Sequence, residues 1–364
     1  MKQIWLSGIW LVIILSAIRL SGQEDSLTSS KTSLFIDGYV DLFYVYDFGR
    51  PNRDQRQYFL YNHNRHQELN LNHGFIRCRV ENPWFRTNLA LQAGTYVNDN
   101  YAAEPSGLKN IFEANIGLRL NKKNTLWIDA GIMPSYIGFE SVRSFDNKTM
   151  TRSLVAENSP YYIAGAKLTY KPDVHWTFIA LVMNGWQRIQ KANPDANPSW
   201  GTQITYTTDN NTTYNWSSFL GSDDPKGISR LRFFNNFYTT MPLSERWYFI
   251  GGFDIGIQQE MKGTNAYDLW FGPVVITQTK LNKNLNLGFR AEYYQDPSGV
   301  FMVSESIKGF DVTGFSVNLD YNPIKNLLCR VEARYLSADK DIFFQQGQNS
   351  GQNVSIGCSA SVSF

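Results

Sequence analysis

Residues 353–364 alternate strictly. Val354, Ile356, Cys358, Ala360, Val362 and Phe364 share one parity, and Asn353, Ser355, Gly357, Ser359, Ser361 and Ser363 share the other. Successive side chains of a strand point to opposite faces, so this segment is a strand with one apolar face and one small or polar face; no helical period fits it. It is long for a soluble strand of about five to six residues and suits a tilted membrane span of roughly nine to eleven. The rhythm recurs upstream. Phe112, Ala114, Ile116, Leu118 and Leu120 alternate with Glu113, Asn115, Gly117 and Arg119; after a turn at 121–124, Leu126, Ile128, Ala130 and Ile132 alternate with Trp127, Asp129 and Gly131. That pattern predicts a hairpin whose apolar parity forms one continuous face.

Further short turns fall at 171–174, 209–211, 242–245, 280–284 and 322–326. They alternate with longer polar connections near 48–67, 98–109, 134–160, 187–200, 222–228, 259–266, 296–309 and 337–351. Eight long connections and seven short turns, the six just given among them, join sixteen strands and leave both termini on the short-turn side. This predicts an all-β fold: a transmembrane antiparallel β-barrel with short periplasmic turns and long outer loops. The strands around 201–221 are the least periodic, and counts of fourteen or eighteen stay open on the pattern alone.

The charges settle which parity faces inward. Between 327 and 336, Cys329, Val331, Ala333 and Tyr335 oppose Arg330, Glu332 and Arg334. Each arginine turned toward lipid at mid-membrane would cost roughly 2 to 4 kcal/mol. The same parity assigns Asp37, Asp41, Arg77, Arg79, Glu113, Arg119, Asp129, Lys167, Arg290, Glu292 and Asp320 to the lumen wall. Such neighbours either pair across strands, as Asp41 with Arg77 or Asp320 with Arg330, or form opposed acidic and basic walls that set a transverse field. A barrel of this strand count leaves an aqueous channel unless something narrows it.

Composition changes the picture mainly at the N-terminus. Lys2, an apolar run over 4–18 and the small residues Ser21 and Gly22 read as a signal peptide over 1–22, followed by one barrel domain over 23–364. Beyond it no apolar stretch is long enough for a spanning helix, mean hydropathy is −0.33 and aromatics reach 15%, as two interfacial girdles would require. The expected location is therefore the outer membrane, with outer-membrane lipid as the partner of the apolar face. Cys78, Cys329 and Cys358 each fall on the apolar parity and read as small lipid-facing side chains. A net charge of +2 without a basic run gives no reason to expect nucleic acid. The four histidines match no zinc spacing and GxSxG is absent, so neither a metal, a cofactor nor an enzyme is expected; His63 and His66 read as part of a polar outer loop. Trp186 and Trp200 read as girdle residues.

Ten segments carry a family resemblance: 35–48 (FIDGYVDLFYVYDF), 68–72 (ELNLN), 89–96 (LALQAGTY), 100–105 (NYAAEP), 111–114 (IFEA), 130–140 (AGIMPSYIGFE), 151–162 (TRSLVAENSPYY), 184–189 (NGWQRI), 201–204 (GTQI) and 292–296 (EYYQD). In them the chain resembles the "putative β-barrel porin-2" group, OmpL-like outer-membrane proteins of Bacteroidota. The resemblance implies a channel for passive diffusion of small hydrophilic solutes and ions, without catalytic residues. It also implies that the barrel-insertion machinery reads the terminal Phe364. In sixteen-stranded porins the third outer loop folds into the channel. Here that loop carries Glu140, Arg143, Asp146, Lys148, Arg152 and Glu157 among apolar residues, and by likeness it is expected to form the constriction. The alternative is a non-conducting barrel within a secretion, assembly or uptake complex of the envelope. A homo-oligomer fits either reading.

Overall fold

A computed structural model describes residues 31–51, 55–302 and 309–364; the signal peptide expected at 1–22 lies outside the described residues. Sixteen strands follow one another: β1 (Ser33–Asp47), β2 (Leu69–Glu81), β3 (Phe85–Ala93), β4 (Ile111–Arg119), β5 (Leu126–Pro134), β6 (Tyr162–Tyr170), β7 (Trp176–Met183) and β8 (Ser199–Thr207). Then come β9 (Thr213–Gly221), β10 (Arg232–Pro242), β11 (Trp247–Gln259), β12 (Tyr267–Lys280), β13 (Leu285–Asp296), β14 (Phe310–Ile324), β15 (Leu327–Ala338) and β16 (Gln352–Ser363). Each pairs antiparallel with its chain neighbours, and β16 closes against β1, so the sheet has no free edge. The least periodic segments do form β8 and β9.

Closure sets Val362 opposite both Val40 and Leu327, with Leu42 opposite Ala360 and Tyr44 opposite Cys358. Phe364 extends the seam: its backbone exchanges hydrogen bonds of 2.8 and 3.0 Å with Gly38. Its ring lies over that glycine, and a Cβ at 38 would come within 2.4 Å of it. Outside, the apolar parity is exposed along every stave, and the three cysteines face outward with it. Tyr170, Trp176, Tyr214, Trp247 and Tyr321 crown the short-turn end, and Phe48, Trp200, Phe233 and Tyr267 the long-loop end. These are the two girdles at which amphipathic rings favour a membrane interface.

The apolar core sits inside the barrel's long-loop end. The first outer connection brings Phe59 and Leu60, and the third brings Ile137, Leu154 and Val155. They pack on the inward Trp270, Phe234 and Tyr294. Between β3 and β4 two short helices, α1 (Thr95–Asn100) and α2 (Ser106–Lys109), tuck Tyr96, Val97 and Tyr101 against Phe75 and Phe112.

Four expectations need correction. Phe112 is not outward: the register slips between Ala90 and Leu91, so β4 bulges and Phe112 and Glu113 both turn in. Trp186 is no girdle residue, since it is buried against Phe219, Phe234 and Phe301. Asp41 does not meet Arg77; it accepts from Asn72 Nδ2 (3.0 Å) and Ser361 Oγ (2.8 Å) and contacts His63 Nε2 at 3.0 Å. His63 is therefore fully buried rather than part of a solvated loop.

Candidate functional site

β13 and β15 aim Arg290, Glu292, Arg330, Glu332 and Arg334 inward, while β14 between them presents Gly314, Ser316, Asn318 and Asp320. Because Gly314 and Ser316 are small, the long side chains on either side meet over β14. Arg334 reaches Glu292 at 2.6 Å, Arg290 reaches both Glu292 and Glu332 at 3.2 Å, and Arg330 reaches Asp320 at 3.0 Å. Three guanidinium groups thus balance three carboxylates, as burial of charge demands.

None of the six is more than 4% exposed, because the third outer connection, residues 135–161, lies on top of them. Glu332 accepts from the backbone N–H of Met150 (2.8 Å) and Thr151 (3.1 Å), and Glu292 from that of Leu154 (2.6 Å). Arg330 donates to the carbonyls of Ser144 (2.7 Å) and Thr149 (2.8 Å), and Arg290 to that of Thr151 (2.7 Å). The start of the same connection is held further round the wall, on β9 and β10. Tyr136 donates its hydroxyl to the Ser218 carbonyl (2.7 Å), and Asn236 accepts from the Gly138 N–H (3.1 Å). The connection therefore crosses the lumen, with a short helix α3 (Leu154–Glu157) at its far side, N-capped by Ser153.

Its six charged residues divide into two groups. Arg152 is fully buried and donates to the carbonyls of Ser141, Val142 and Met150, fixing the connection's own shape. Glu157 is also buried, accepting from the Tyr61 N–H at 2.9 Å and so clamping the first connection; burial pushes its carboxyl up to about 7. Lys148 lies 4.6 Å over the Tyr248 ring. Glu140, Arg143 and Asp146 border open space, and Glu157 also borders the cavity among the outer connections. Burial raises the Glu140 carboxyl, against the pull of Arg290, and Arg143 donates to Ser363 Oγ at 2.9 Å.

That open space lies on the other side of the lumen. A cavity of about 370 Å³ is bounded by Arg77, Glu113, Glu140, Arg143, Asp146 and Ser159. A second, of about 380 Å³, lies among the outer connections between Tyr61, Asp99, Ser159, Arg188, Asp223 and Arg232. Ser159 borders both. Toward the short turns a third cavity of about 420 Å³ opens beside Arg86, Trp127, Lys167 and Lys171. The wall between is ionic: Arg77 pairs with Asp37 and Glu113, each at 2.8 Å, Arg79 with Asp37 at 3.3 Å, and Arg86 with Asp129 at 2.7 Å. Arg119 lies 4.0 Å over Trp84.

The charges that face the outer cavity escaped the parity argument because most belong to connections. Among the described residues, no group of three or more His, Cys, Asp or Glu is placed to hold a metal ion.

The family model "Putative beta-barrel porin-2, OmpL-like" matches residues 33–364. The chain belongs to this family. No curated protein matches it in sequence. Among solved structures this OmpL-like chain superposes on an anion-selective porin from Comamonas acidovorans with a TM-score of 0.61 at 8% identity, covering 92% of this chain and 100% of that one. The outer membrane channel DcaP of Acinetobacter baumannii gives 0.62 at 12% identity, covering 95% and 100%. OmpF of Salmonella typhi, solved with daunomycin, gives 0.61 at 11%, covering 91% and 97%. At these identities the likeness is one of fold. Family and fold together are those of outer-membrane porin barrels.

Proposed function

We propose that this barrel is a passive diffusion channel for small hydrophilic solutes and ions, constricted by its third outer connection. The observation that carries the reading is the crossing of that connection: it is tied to β13–β15, and cavities remain beside β2–β7. The path runs from the outer cavity past Ser159 into the mid-barrel cavity, then to the short-turn mouth. Glu140, Arg143 and Asp146 face it from the connection, and Arg77, Arg79, Glu113, Arg119, Asp129 and Lys167 from the wall. Arg290, Glu292, Asp320, Arg330, Glu332 and Arg334 instead hold the partition in place, while Asp41 holds His63 of the first connection. A closed neck of this kind is bridged by few water molecules, so one residue there governs flux.

Single-channel recording in planar bilayers with neutral solutes of graded size tests the proposal. Small solutes are expected to pass, and Ser159→Trp is expected to cut conductance at least about twofold by filling the shared neck. The loop-crossed lumen would equally suit a silent barrel within a larger envelope complex. Electrical silence of the folded barrel, together with stoichiometric co-purification of another envelope protein, would replace the channel reading with that one.

A further inference from the structure

The cavity at the short-turn mouth differs from the other two in its charge. Its lining includes three cations, Arg86, Lys167 and Lys171, and no carboxylate. The other linings mix both signs. Asp129 stands next to it, directly opposite Lys167 in the β5–β6 register, yet both Asp129 oxygens are taken by Arg86, at 2.7 Å each. Gly117 on the intervening β4 makes that bidentate pair possible. A Cβ there would lie 2.3 Å from Asp129 Oδ1 and 2.8 Å from Arg86 Cγ. Arg86 is held further by the Trp127 ring, 4.5 Å beneath its guanidinium. The one nearby acid is thereby neutralised by a different strand.

Two ammonium groups remain. Among the described residues, neither Lys167 Nζ nor Lys171 Nζ has a hydrogen bond or an ion pair. Both stand on the inward parity of β6 and its turn, with Thr169 between them, and Thr125, Thr177 and Asn124 complete a hydroxyl- and amide-rich wall. A volume of about 420 Å³ lies within the usual range of small-ligand sites, roughly 300 to 1,000 Å³. Ammonium groups without partners, beside hydroxyl donors and away from free carboxylates, favour an anion that accepts several hydrogen bonds.

We infer that this recess is a binding station for small oxyanion-bearing solutes, carrying a phosphate or a carboxylate, where they leave or enter the channel on the short-turn side. The inference rests on the channel reading for its role in transport; the binding itself does not.

The test uses the full-length folded barrel in zwitterionic detergent, titrated with inorganic phosphate at constant ionic strength and followed by ³¹P line broadening. Acetate serves as the parallel carboxylate probe, by competition. Saturable binding is expected, weakened about tenfold in Lys167→Gln/Lys171→Gln, as loss of charge-assisted contacts implies. Lys171→Gln alone, at an exposed turn position, is expected to weaken it measurably and answers the question if the double variant does not fold. Binding that does not saturate, or that is unchanged in these variants, overturns the inference. In bilayers, phosphate added on the short-turn side should reduce chloride current in the native barrel and not in the double variant. Binding without conduction would sink the channel reading and leave the recess standing; conduction without binding would do the reverse.

Discussion

At the scale of single residues, two positions convert local physics into measurable behaviour. Glu157 is buried beneath the first connection, and its carboxyl is raised from 4.5 to about 7. A raised carboxyl favours the protonated folded state. Its contribution is thus fully present below about pH 4.5 and is lost as pH rises through 7, by as much as about 3 kcal/mol. Thermal unfolding followed by tryptophan fluorescence should show the barrel losing stability from pH 5 to 8.5. Glu157→Gln keeps an acceptor for the Tyr61 N–H and should flatten that slope; an unchanged slope would contradict the assignment. Gly38 is the second position. Because the Phe364 ring occupies the place of its Cβ, Gly38→Val should displace the terminal ring. The yield of heat-modifiable, folded barrel should then fall several-fold. Deleting Phe364 is expected to act in the same direction, in keeping with a role for that residue in insertion.

At the scale of elements, the third connection is held by side chains that grip its backbone. Arg330→Ala leaves Asp320 buried without its partner and frees the carbonyls of Ser144 and Thr149. Breaking a buried pair costs about 3 to 5 kcal/mol, enough to loosen the connection while the closed sheet persists. Conductance and open-channel noise should both rise, and a quiet channel of native conductance would refute the tether. The same grip explains what was legible in the sequence. Strand parity, strand count, the inward face of Arg330, Glu332 and Arg334, and the Asp320–Arg330 pair all follow from a period of two. The bulge that turns Phe112 inward inserts one residue and breaks that period without marking it. The fold of the third connection is hidden for another reason: backbone carbonyls accept from Arg330, and backbone N–H groups donate to Glu332, equally well whatever the residue type. Apolar residues of the third connection such as Ile137, Leu154 and Val155 were the one signal that it would be buried. Of the proposed constriction residues, Glu140, Arg143 and Asp146 border the mid-barrel cavity and Glu157 the outer one, while Arg152 serves the connection's own framework.

At the scale of the whole molecule, the lumen is asymmetric. The third connection covers β13–β15, whereas cavities remain beside β2–β7. Backbone amides of β13–β15, covered on their inner face, should exchange with deuterium more slowly than those of β5–β8, on the order of tenfold. Equal protection around the barrel would mean that the connection is not seated as described. A different outcome follows from the seam between β1 and β16. The first stave can be satisfied only by the last, so every shorter length of emerging polypeptide carries two raw borders of unmet amides and carbonyls. In an aqueous compartment such borders invite pairing with strangers. Those borders disappear only when the final stave meets the first and zips the cylinder shut.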